Sequence, residues 1–235
     1  MVPCHVQGEQ MQTFRTAAAA ALLALATAVP QAQAADTPAL GFSSTNGSFL
    51  DGGSRMIGWQ FTVPQAVPVT ALGWFDLGQD GLARSHQIGI WNSATQALVA
   101  TTTVAAGTSA PLEGFFRYAT LDAPVLLQSG VSYRIAGLDV GSGGDAHVWA
   151  PVLSGYSAHV NGFVVDGHIT LGATGTAIGT TSGEFQYPNA QINDSRTALM
   201  GPNLMLAPVP EPESWALLVA GLALVGVTIR GRRIR

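Results

Sequence analysis

The chain has 235 residues and a formal charge of −4, with ten arginines, no lysine and a single cysteine. That balance excludes a nucleic-acid partner held by electrostatics, which needs clustered cations against phosphate, and one cysteine excludes a disulfide framework. Only 10% of the residues are charged and 28 are glycine, which suits many short strands joined by tight turns.

Residues 1–34 read as a secretory signal peptide handed to the Sec translocon. Arg15 supplies the positive n-region, Ala17 to Val29 is an apolar run interrupted only by Thr27, and Ala32-Gln33-Ala34 is a small-x-small cleavage site. The cut is expected after Ala34. Residues 1–10 are polar, so Met11 is an alternative start to Met1. The cysteine, Cys4, falls in the removed part, and the mature protein then has no thiol chemistry.

Between residues 35 and 207, eleven Asp and Glu against five Arg leave a net charge of about −6. Short β-rich runs bounded by Gly, Pro, Asn, Asp and Ser dominate, with no sustained helical period. The spacing predicts strands at Met56 to Val63, Val69 to Leu77, Gln87 to Trp91, Leu98 to Val104, Phe115 to Leu121, Val131 to Leu138, His147 to Pro151 and Ala158 to Val165. Val131 to Ile135 alternates apolar and polar residues, as a half-buried strand does. Asn92-Ser93-Ala94-Thr95 is a polar turn that returns the chain along Leu98 to Val104 as a hairpin. About eight such strands predict an all-β, two-sheet antiparallel β-sandwich, jelly-roll-like, over residues 35–200. Residues 170–183, rich in Thr, Gly, Ala and Ser, read as a long surface loop or irregular edge, and the Pro-containing residues 201–209 as a stiff linker.

The order Gly58-Trp59-Gln60-Phe61, Val69 to Asp76, His86 to Trp91 and Gly130-Val131-Ser132-Tyr133 is similar to the DUF4082-like sandwiches of bacterial surface proteins. That resemblance implies a fold and a surface location, and no activity.

Chemistry is sparse. The body carries no G-x-S-x-G elbow, H-E-x-x-H motif, phosphate loop or dinucleotide fingerprint. His86, His147, His159 and His168 are scattered, and structural or surface roles are expected for them. The candidate metal site is the loop Asp76 to Gly81, where Asp76 and Asp80 with backbone oxygens would suit Ca²⁺; the plain alternative is a polar connecting loop. No other cofactor is implied. Asp139 to Asp145 is a second glycine-rich loop, expected to be a flexible turn. Trp59, Trp74 and Trp91 lie in apolar runs and are expected in the core, whereas Trp149, beside that second loop, is the candidate glycan contact.

Residues 210–235 hold three ordered parts. Pro210-Glu211-Pro212 comes first, then an uncharged run from Trp215 to Ile229, then Arg230, Arg232, Arg233 and Arg235 around the end of the chain. A helix over those 15 residues spans about 22 Å, short of a ~30 Å hydrocarbon core, but flanking arginines hold the cytoplasmic side and their stems extend the reach. This order resembles the PEP-CTERM sorting signal of Gram-negative bacteria. The resemblance implies an exosortase that removes the transiently anchored tail and passes the protein to the cell surface or extracellular matrix. A plain proline-rich linker before a permanent anchor is the alternative. The expected function is a non-catalytic surface or matrix protein acting in adhesion, biofilm matrix or glycan binding, with extracellular polysaccharide or surface proteins as partners; the alternative is a secreted hydrolase with a site assembled from loops.

Overall fold

A computed structural model of the chain describes residues 35–48, 54–141, 143–150, 158–172, 177–180, 183–191, 198–208 and 221–222. The chain divides between Ala34 and Ala35, and the unit beginning at Ala35 contains all of these residues. The expected signal peptide lies outside them. So does the Trp215 to Ile229 run apart from Gly221 and Leu222, which have helical backbone and are exposed. Among the described residues, no helix is long and apolar enough to cross a membrane.

Three two-residue strands open the body: β1 (Thr37–Pro38), β2 (Leu40–Gly41) and β3 (Ser44–Thr45). The long strands follow as β4 (Ser54–Thr62), β5 (Val67–Phe75), β6 (His86–Asn92) and β7 (Leu98–Val104), then a short β8 (Leu112–Glu113), β9 (Phe116–Leu127) and β10 (Ser132–Val140). Short strands complete the set: β11 (Val148–Trp149), β12 (Val160–Asn161), β13 (Val164–Val165), β14 (Thr170–Leu171), β15 (Ala177–Thr180), β16 (Ala190–Gln191), β17 (Leu199–Met200) and β18 (Pro202–Leu206).

Two antiparallel sheets carry the fold, one ordered β1-β18-β5-β9-β8, the other β16-β15-β4-β10-β6-β7 with β14 also on β4. They face one another. Gly137 of β10 lies under Trp74 of β5, where an added Cβ would stand 2.4 Å from the indole, and Trp59 Nε1 of β4 donates to Pro202 O of β18 at 3.0 Å. Trp59, Phe61, Leu72, Trp74, Ile88, Ile90, Ile135 and Leu204 are fully buried. At about 1.5–3 kcal/mol per large apolar side chain, this packing holds together a chain whose single cysteine can form no internal disulfide.

The other face of the five-stranded sheet is also covered. Phe42 packs on Phe115 at 4.7 Å, on Phe116 at 5.8 Å and on Phe75 at 6.1 Å. It lies in a thin third layer made of the β2–β13 and β3–β12 pairs.

Of the two alternatives for residues 170–183, the irregular edge is the one the described residues show: β14 and β15 both pair along one side of β4. One expectation changes. Residues 201–208 are not a linker. β18 lies inside the sheet between β1 and β5, and Pro202 stands at its first position, where a missing N–H is tolerated. The expected hairpin is present, with β7 returning along β6.

Candidate functional site

At the pole of the sandwich where β5 ends, the chain turns through Asp76 to Gly81. Gly78, Gln79 and Gly81 have positive φ of 88°, 61° and 117°, which wraps the loop back on itself. Asp76 is 1% exposed. Its Oδ2 accepts Arg117 Nε at 2.7 Å, and both its oxygens accept the Gly81 amide. The guanidinium also donates to Gln79 O at 3.2 Å, Thr108 O at 3.2 Å and Ala110 O at 3.0 Å. The loop does gather oxygens around a cation, and that cation is Arg117. Of the two residues expected to hold Ca²⁺, Asp76 is engaged by Arg117 and the Gly81 amide, and Asp80 is exposed. Among the described residues, no three His, Cys, Asp or Glu side chains are gathered as metal ligands.

The same pole carries a second pair, one partner buried and the other half-buried. His86 is fully buried at the start of β6. Its Nδ1 stands 3.0 Å from Leu138 O and its Nε2 2.8 Å from Asp145 Oδ2. The imidazole is thus held at both of its nitrogens. The ring lies flat on Trp74, centroids 3.9 Å apart. Burial pushes the Asp145 carboxyl up, but the His86 hydrogen bond and the Ala83 and Arg84 amides outweigh it and hold the group below its ordinary value. Asp145 thus latches residues 143–147 onto the 82–86 segment, through Ala83 N at 2.8 Å and Arg84 N at 3.1 Å. The expected flexible turn is a fastened one.

Trp149, the candidate glycan contact, is largely covered. It is 8% exposed, pairs with Leu199 across β11–β17, and has the His159 ring 3.5 Å from its own. His147 stands 6.4 Å away on the other side, with Asp139 Oδ2 3.7 Å from its Nδ1. Trp149 is a packing residue and offers no broad face to a sugar.

The aromatic group nearer solvent lies on the outer face of the seven-stranded sheet. Trp91 meets Phe185 at 5.2 Å, and the Arg134 guanidinium lies 5.2 Å over Tyr187 while bonding Gln60 Oε1 and Pro188 O. Trp91 itself is 4% exposed, and Phe185 and Tyr187 are half-buried. Aromatic alternation in Phe185-Gln186-Tyr187 was the available signal for this group, hidden among Ser, Gly and Asn.

At the opposite pole the body hands over to its tail. Thr37 pairs with Leu206, so the two ends of the folded body leave side by side. Asp36 accepts Thr70 Oγ1 at 2.5 Å, and the Ala207 amide donates to Pro68 O at 2.9 Å. One residue later the chain begins its match to a known family model, the PEP-CTERM protein-sorting motif, over residues 208–233. The chain carries a PEP-CTERM sorting motif. The match spans Pro210, Glu211 and Pro212 and reaches Arg230, Arg232 and Arg233, with Arg235 just beyond it; all seven lie outside the described residues. A PEP-CTERM motif marks an exported protein that is sorted at the membrane by an exosortase. The motif speaks for the address and leaves the body to its own geometry. No curated protein matches the chain.

Proposed function

We propose that this exported, exosortase-sorted protein is a non-catalytic component of the cell surface or extracellular matrix, acting in adhesion, biofilm matrix or glycan binding. One observation carries the reading: the motif follows directly on the last strand of a sandwich in which Asp76 and Asp145 are each engaged by a side chain of the protein itself. Asp76 holds Arg117 and Asp145 holds His86, so these groups serve to close the loops at one pole. A body of this kind is a rigid module that sorting delivers to a surface. The net charge of about −6 over residues 35–207 directs glycan binding toward neutral sugars, stacked on aromatic faces rather than held by cations. The outer sheet face with Phe185 and Tyr187 is the place for such contact.

The test is fractionation of a host that has an exosortase, together with binding of the purified body to the host's extracellular polysaccharide. The expected result is mature protein in the surface or matrix fraction and retention on the polysaccharide, weakened by Phe185→Ala. Mature protein free in the medium, with no affinity for cells or polysaccharide, would overturn the reading.

A further inference from the structure

The spacing between the last strand and the sorting motif is itself informative. β18 is seated deeply. Leu204 and Leu206 are 0% and 1% exposed, and Asn203 is fully buried. The Asn203 amide clamps the third layer, donating to Leu40 O at 2.7 Å and accepting Leu40 N at 3.2 Å. Pro202 O holds the indole of Trp59 from the facing sheet. The strand pairs on both sides, with β1 and β5. Ala207 is still bonded to Pro68, and from there only Pro208 and Val209 precede Pro210. Three residue steps reach at most about 10 Å.

Unseating β18 to gain slack would break pairing on two sides and expose two buried leucines and a bonded amide. The motif also lies downstream of every strand, so the whole sandwich has emerged before the motif does. We propose, on the reading that an exosortase processes this chain, that the enzyme acts on the closed sandwich and meets the motif within about 10 Å of seated β18. Pro208 and Val209, the first two residues of the family match, are then the clearance between the end of the sheet and Pro210. The pole carrying Asp36, Ala207 and the turns at 63–66 and 128–131 is the face turned toward the enzyme. These turns are tied to one another, Gly130 N to Val63 O and Ser129 Oγ to Pro64 O.

Three chains expressed in an exosortase host test this: the natural one, one lacking Pro208 and Val209, and one with Gly-Ser in their place. Residues 35–207 are identical in all three, so their folded bodies are the same. Tail removal is followed over time by the mass of the C-terminus. The deletion is expected to slow removal about tenfold or more, since small misplacements cost that much in positioned chemistry, and Gly-Ser is expected to restore it. Normal processing of the deletion would overturn the proposal. A deletion that Gly-Ser fails to restore would also overturn it, because the two residues would then be read by identity. Retention of Arg235 in all three chains would sink the sorting reading and this one with it.

Discussion

His86 and Trp74 lie face to face, 3.9 Å apart and 4° from parallel, and the histidine's two nitrogens reach Leu138 on one side and Asp145 on the other. This stack fastens the β6 end of one sheet to the β5 strand of the other, and the same ring is tied to Asp145. Asp145 has a lowered folded pKa, so its contribution to stability is present above its ordinary unfolded value and is lost as pH falls through the folded one. The unfolded value is about 3.9. The purified body is therefore expected to lose stability below about pH 4. Asp145→Asn should cost about 2 kcal/mol at pH 7, with the difference from wild type shrinking as the pH is lowered to 3. Thermal melts across that range check it. Asp166 is lowered in the same direction: burial raises it, and the His168 and Thr37 bonds outweigh that. Asp166→Asn should reproduce the trend more weakly, because its partner His168 is 39% exposed.

Asp76→Asn leaves the Arg117 guanidinium in a buried site without its counter-charge. The expected cost is about 3–5 kcal/mol, a fall in Tm of roughly 10 °C for a body of this size. Millimolar Ca²⁺ should leave the wild-type melt unchanged. A Tm that rises with Ca²⁺, and stops doing so in Asp80→Ala, would restore the metal reading of this loop.

β18 belongs to the sandwich, so two truncations should behave differently. Residues 35–207 are expected to show a β-type circular dichroism spectrum and a cooperative melt. Residues 35–200 lack the strand that fills the space between β1 and β5, and should aggregate or melt without a transition. Equal cooperativity in both would return residues 201–209 to the role of a linker.

Trp149→Ala is expected to destabilise the body by about 3–5 kcal/mol, the usual cost of removing a buried large aromatic side chain. Phe185→Ala, at a half-buried position, should cost less and act on polysaccharide retention instead. Chemical denaturation of both variants, alongside the retention assay, separates packing from contact.

The tail gives the last test. Glu211→Ala keeps the apolar run and the arginines, so full-length protein should accumulate at the inner membrane. Replacing Arg230, Arg232, Arg233 and Arg235 removes the charge bias that sets orientation, and poor insertion is the expected outcome. Normal processing of Glu211→Ala would show that the segment is a plain anchor.

The address was legible in the sequence because an enzyme reads it as a sequence: Pro210, Glu211 and Pro212, an apolar run and terminal arginines keep their meaning without any fold. The long strands were legible for a related reason. Alternation and turn residues act locally, and Leu98 to Val104 forms a strand with the same bounds that its pattern predicts. What the tertiary structure decided was the partner of each polar group. Asp76 meets an arginine 41 positions away and Asp145 a histidine 59 positions away, and neither spacing leaves a local trace. The same holds for burial. The pattern marks Trp149 and Leu204 as apolar or aromatic, but which surface covers them depends on how two sheets and a third thin layer close. A cation-shaped loop was therefore visible from residues 76–81 alone, while the identity of its cation had to wait for β9 to bring Arg117 beside it.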